Sequence, residues 1–188
     1  MFIWADAGQD KVVSSESLPH QFEIGCWTSV DVCPGLRFWF ALLNDRTGPM
    51  GRIICALTGS PYYHVAIEIN GLEPAECTFE ATAAIGLPYD WEGALSSWKE
   101  TGYHTPREEF CSGLAYEVAV KVKSGLTRYP NPGRLYRDLV PGVGMSAPHI
   151  VLSDADAEWL RSIPTDKVST GTREEAEAYL FAEKETLA

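Results

Sequence analysis

The chain has 188 residues, 45% hydrophobic and 22% charged, a balance that excludes a disordered polymer and suffices for one domain with its own core. Its formal charge of −11 excludes a broad phosphate-binding surface, so nucleic acid is not an expected partner, and an anionic membrane would repel it. No apolar run approaches the roughly 20 residues of a membrane span, and the start, Met1-Phe2-Ile3-Trp4-Ala5-Asp6, has no secretory-signal pattern. The cytoplasm is therefore the default compartment, with a non-Sec route or lysis as the way out of the cell.

In chain order, residues up to about Ser17 carry little periodicity and are expected to form a loose arm, and Phe22–Trp27 a short strand. Leu36–Leu43 is too apolar for an exposed helix, and Met50–Leu57 reads as a second helix leading into a Ser60-Pro61 turn. Either segment can wall an acyl-binding groove, although most of their aromatics read as plain core.

Val65, Ile67 and Ile69 alternate with His64, Ala66 and Glu68, the period of a strand with one face in a core. Asn70-Gly71 follows as a turn signal, and Thr78–Thr82 reads as a return strand. Its register depends on the loop. A loop from Asn70 through Pro74 pairs Ile69 with Ala75 and His64 with Glu80, whereas a tight Asn-Gly turn sets Cys77 opposite His64. The longer loop is preferred because Pro74 cannot donate a ladder hydrogen bond. Leu95, Trp98 and Tyr103 fall between the strands and the next helix.

That helix begins at Cys111. Leu114, Ala115, Val118, Ala119 and Val122 recur at helical spacing, with Glu117, Lys121 and Lys123 on the other face and Ser124-Gly125 at the end. A cysteine in a first turn meets free N–H groups and the positive end of the helix dipole, which favour the thiolate. Beyond it, Ser153-Asp154-Ala155-Asp156 caps a helix carrying Trp159, Leu160 and Ile163, and Thr172-Arg173-Glu174-Glu175 reads as a capping box before Ala176, Tyr179 and Leu180. Glu174, Glu175, Glu177, Glu183 and Glu185 read as a solvated face.

The cysteines Cys26, Cys33, Cys55, Cys77 and Cys111 are odd in number and lack a repeated spacing, so they do not read as a disulfide framework. Cys26 and Cys33 with His20 lack a CxxC pair and a fourth ligand, so neither metal nor other cofactor is expected. His104, in a loop, reads as a surface histidine, and His149 as structural. Cys111, His64 and Glu80 remain as a nucleophile, a base and a carboxylate that orients the base.

Thr58-Gly59-Ser60-Pro61-Tyr62-Tyr63-His64-Val65, Phe79-Glu80-Ala81 with Gly86 beyond, Phe110-Cys111-Ser112 and Asn131-Pro132-Gly133-Arg134-Leu135 resemble the circularly permuted NlpC-type hydrolases, papain-like cysteine enzymes in which the histidine precedes the cysteine. The resemblance runs from about Ile53 to Leu139. It implies an α+β papain-like fold whose central antiparallel sheet packs against the cysteine helix. It implies Cys111 as nucleophile, His64 as general base and Glu80 as third polar residue. Where the family often has a glutamate after the cysteine-serine pair, this chain has Gly113.

Such a site cleaves an amide or other acyl bond through a thioester. Backbone N–H groups at Cys111 and Ser112 are the natural oxyanion donors, with the Tyr62 hydroxyl preferred over Tyr63, which reads as a core or rim aromatic. Cell-wall peptide stems are the leading substrate class, with lipid acyl transfer and intracellular peptide, isopeptide or thioester cleavage as alternatives. A binding module on the same fold is the reading of another class. The expected organisation is a domain over 1–145 with a helical extension over 146–188, in no particular oligomeric state.

Overall fold

The computed structural model describes residues 1–17, 26–99, 104–146 and 148–181. The predicted Phe22–Gly25 portion of a strand, His20, Tyr103, Glu183 and Glu185 lie outside them.

Alternating burial builds the sheet. Val65, Ile67 and Ile69 of β5 (Tyr62–Ile69) sink into the core, as do Phe38 and Phe40 of β4 (Leu36–Leu42). Leu36–Leu42 is thus a central strand rather than a helix. Its continuous apolar character reflects a strand paired on both edges, a pattern that hydropathy alone does not separate from a buried helix. β3 (Cys26–Cys33) flanks β4 on one side. The supposed loose arm is also sheet: β1 (Phe2–Asp6) and β2 (Lys11–Ser15) form a hairpin, and β1 pairs with β5 at Phe2↔Glu68 and Ile3↔Ile67. Ile3 and Ala5 are fully buried, so this hairpin is core rather than an appendage. The order is β2-β1-β5-β4-β3, antiparallel throughout.

Seven helices are present among the described residues. α1 (Pro49–Thr58) matches the predicted Met50–Leu57 helix and ends on Gly59 at φ +59°, a left-handed C-cap that glycine adopts at little cost. After β5 the chain departs from the sequence reading. Thr78–Thr82 is not a return strand but lies inside α2 (Ala75–Ala83). Pro74 stands at the helix cap, and the Glu73 carboxylate accepts from the amides of Asn70 (3.1 Å) and Gly71 (2.9 Å) and from the Thr78 hydroxyl (2.6 Å). Those bonds fold the turn straight into a helix, with Cys77 and Ala81 buried one turn apart.

α4 (Cys111–Ala119) and α5 (Pro132–Leu139) join α1 in the layer that packs on β5, and the short α3 (Trp91–Ser96) packs against the last helix, Thr170–Phe181. The predicted helix after Cys111 is present and ends before Val120. α6 (Asp154–Ser162) carries the expected capping box, Ser153 with Asp156. α7 (Thr170–Phe181) begins two residues before Thr172, whose amide takes the Ser169 hydroxyl as its cap at 3.2 Å. These two helices lie on the same body. Arg52 of α1 bonds Asp156 at 2.6 Å, the Trp91 and Trp159 rings sit 6.2 Å apart, and Trp98 stacks on Tyr179. No helix among the described residues is long and apolar enough to cross a membrane.

Candidate active site

Cys111 is the first residue of α4, after Phe110 in an extended conformation at φ −110°. The helix packs on β1 and β5, and Val65 of β5 and Ser112 both act to lower the Cys111 thiol. The nucleophile candidate therefore opens a helix that packs on the strand carrying His64. Two segments distant in sequence meet because a helix start is wedged at the strand that opens with the histidine.

Local packing fixes that start. The Phe110 ring covers Gly113, where a Cβ would lie 2.8 Å from the ring edge, so the glutamate frequent in the resembled family does not fit here. Asn131 caps α5 by accepting from the Arg134 amide at 2.9 Å, and the neighbouring Pro132 closes the space beside Cys111.

The electrostatics reverse one expectation. Burial pushes the Cys111 thiol up to about 11, against the lowering effect of hydrogen bonds from Val65 and Ser112, so the resting sulfur holds its proton. The helix start does not outweigh desolvation. Burial likewise holds His64 down at about 4, with the Asp6 charge pulling the other way. At neutral pH the Cys111 thiol and the His64 imidazole are therefore both uncharged.

Asp6 is the residue the sequence reading missed. The antiparallel register of β1 on β5, continued from Phe2↔Glu68, brings it to the level of His64. Its carboxylate is fixed by the amides of Gly8 (2.9 Å) and Gln9 (3.2 Å) and by the indole of Trp4 (3.4 Å). On the other side, the strand partner of His64 is Ala41 of β4, and the Trp27 ring meets its edge at 6.3 Å. Glu80 does not occupy a paired position opposite His64. It projects from α2 to Lys121 at 2.7 Å, both side chains being one-third exposed.

Tyr62 and Tyr63 also exchange roles. Tyr62 turns into the core, 4.5 Å from the Tyr136 ring and 5.8 Å from Phe40, and burial together with a Tyr136 hydrogen bond raises its phenol to about 12. Tyr63 lines the site instead. A cleft of ≈ 440 Å³ is bounded by Asp6, Arg46, Met50, Tyr63, His64 and Tyr89. A separate void of only ≈ 10 Å³ holds Cys111 and Ser112. Cys111 is 6% exposed, and Tyr63 and Tyr89 are common to the linings of the cleft and of the void beside the sulfur.

The other sequence candidates scatter. Leu95 is core and Trp98 packs under α7. His149 is exposed on a distant groove rather than structural. His104 is not a surface histidine: its side chain is 15% exposed and lies between Asp90 and Glu109. All five cysteines are free thiols. No group of three or more metal-ligating side chains occurs among the described residues.

The class these observations define is an α+β protein with a five-stranded antiparallel sheet and a buried cysteine at a helix start beside a strand histidine. Comparison with family models, curated proteins and solved structures gives no match for this chain.

Proposed function

We propose that this chain is a papain-like cysteine hydrolase of the permuted NlpC type, cleaving an amide or other acyl bond. The observation that carries the reading is that the helix opened by Cys111 packs on β5, the strand that carries His64. Cys111 is the nucleophile. His64 takes its proton as the sulfur bonds to the acyl carbon, then gives that proton to the leaving amine or alkoxide as the C–N or C–O bond breaks. Water, deprotonated by His64, attacks the thioester and restores the thiol. The amides at Cys111 and Ser112 receive the oxyanion, and Asp6, in place of Glu80, stabilises the imidazolium that forms transiently.

The ≈ 440 Å³ cleft suits a short peptide or a comparable acyl donor, with Arg46 on its rim to meet an anionic group. Peptide stems of cell-wall material fit that description, as do intracellular peptides. The acyl carbon reaches sulfur past Tyr63 and Tyr89.

The test is acylation by a small activated ester, read by peptide mass spectrometry on all five cysteines. Cys111 alone is expected to carry the acyl group and to release it, with His64→Ala abolishing both. Equal labelling of the exposed Cys26 and no turnover at Cys111 would sink the reading. The ≈ 10 Å³ void around the sulfur favours the second one, a ligand-binding module whose cleft holds an acyl compound without cleaving it.

A further inference from the structure

A second, partly buried histidine lies just ahead of Cys111. His104 Nδ1 is 3.5 Å from Asp90 Oδ2, close enough for an ion pair but with no hydrogen-bond partner among the described residues, and Nε2 is 3.9 Å from Glu109 Oε1. Its ring stacks on Tyr129 at 4.7 Å, beneath the Arg128 guanidinium. Asp90 is fully buried and accepts from the amides of Gly93 (2.7 Å) and Thr105 (2.8 Å) and from the Thr105 hydroxyl (2.9 Å). Glu109 is 8% exposed, and its Oε2 has no hydrogen-bond partner among the described residues.

The main chain ties this cluster to the site. The Glu109 amide donates to the Pro88 carbonyl at 2.9 Å, and the Asp90 amide donates to the Glu109 carbonyl at 3.0 Å. Phe110 and Cys111 follow directly. Two non-glycine residues here sit at positive φ, Arg107 at +71° and Tyr129 at +44°. Such conformations persist only where the surroundings enforce them.

We propose that His104 is a positioning residue for the nucleophile helix: as an imidazolium between Asp90 and Glu109 it holds segment 104–109, and through it Phe110 and Cys111, onto the Pro88–Asp90 segment. This role rests on the reading of Cys111 as nucleophile. The reason is charge. Asp90 and Glu109 are two buried carboxylates, and Glu117 of α4, Glu108 and Glu80 of α2 add to the negative field. Lys121 is occupied by Glu80, and Arg128 lies over the far ring. Among the described residues, His104 alone reaches both carboxylates. The Asp90 contact raises His104 above its usual value, whereas at Glu109 burial outweighs the His104 charge and pushes the carboxyl up to about 7. Loss of the imidazolium proton leaves Glu109 either a bare buried anion or a protonated acid with no bridge.

The experiment is amide hydrogen exchange of residues 104–112 in the full chain, as wild type, His104→Gln and His104→Gln/Glu109→Gln, across neutral pH. Expected results are a loss of protection of about tenfold or more in His104→Gln, as for a broken buried ion pair, and recovery in the double variant once the uncompensated carboxylate is gone. Wild-type protection should fall as pH rises through the His104 titration. Unchanged exchange in His104→Gln overturns the proposal, and so does a loss that Glu109→Gln does not recover, because ring packing on Tyr129 then explains it. Acylation of Cys111 in the same variants should follow the exchange. Absence of acylation in the wild type would instead count against the hydrolase reading, which the exchange data do not depend on.

Discussion

His64 and His104 are both withdrawn from solvent only in part, yet their surroundings drive them in opposite directions. His64 sits on a strand with the single charge of Asp6 near it, and burial leaves it neutral down to about 4. His104 sits between two carboxylates, and their contacts outweigh burial and raise it. Desolvation decides where charge is scarce, and Coulomb attraction decides where opposite charge converges. A neutral imidazole is a base; a charged one between carboxylates is a brace. In the proposed reading, the same type of side chain supports proton transfer at His64 and holds the segment ahead of Cys111 at His104.

The sharpest way to break this contrast is at the nucleophile. Cys111→Ala should reduce ester turnover by on the order of 10⁴-fold or more, to background, while leaving the fold's melting temperature close to wild type. His64→Ala should cost about 10²–10⁴-fold in acylation of Cys111. Because His64 is neutral above about 4, the acid limb of the rate profile should lie near pH 4 rather than 6.5. Asp6→Asn should have a smaller effect, about tenfold, and move that limb further toward acid, because the charge that raises His64 is removed.

Stability against pH sharpens the same comparison. Glu109 has a folded value raised to about 7, so its contribution is full below the unfolded value of 4.5 and is lost as pH rises through about 7. His104, also raised, acts in the same sense, its contribution being full below 6.5 and lost above. His64 is depressed, so its contribution is present above 6.5 and lost as pH falls toward 4. The two sites oppose each other between pH 4.5 and 6.5. Denaturant titrations of Glu109→Gln should therefore show stability rising with pH across that window, by about 1–3 kcal/mol. In His64→Phe, stability should fall across it. Identical profiles in both variants would remove the distinction between the sites.

Smaller effects follow from packing and surface. Gly113→Glu, which restores the residue frequent in the resembled family, should destabilise by about 1–3 kcal/mol through the Phe110 ring, measured by chemical denaturation. Glu80→Gln should change stability by less than about 1 kcal/mol, as loss of a part-exposed pair with Lys121, and leave acylation of Cys111 unaltered. A large loss of acylation in that variant would return Glu80 to the site.

Much of the site's first half was legible in the chain itself. The period-two alternation around Val65, Ile67 and Ile69 defined a strand with His64 on its other face, and the helical spacing after Cys111 put the thiol in a first turn. Capping chemistry at Ser153 and the Met50–Leu57 periodicity also set helices where they occur. These signals are local, carried by a few adjacent side chains whose spacing matches one backbone geometry.

The rest depended on partners far away in sequence. Asp6 reaches the level of His64 only because the hairpin of β1 and β2 pairs onto β5, and weak periodicity at the start of the chain held no sign of that pairing. Glu80 left the site because the Glu73 and Thr78 bonds turn the chain into a helix, overriding an alternation that reads equally well as a strand. His104 became partly buried because Asp90 and Glu109 converge on it across a main-chain bridge. Local sequence determined the strand that carries His64, the helix that opens at Cys111 and the capped helices around them. Tertiary structure decided which carboxylate stands near which histidine, and whether burial or charge sets its proton, because both depend on distances closed only when the sheet and helices pack.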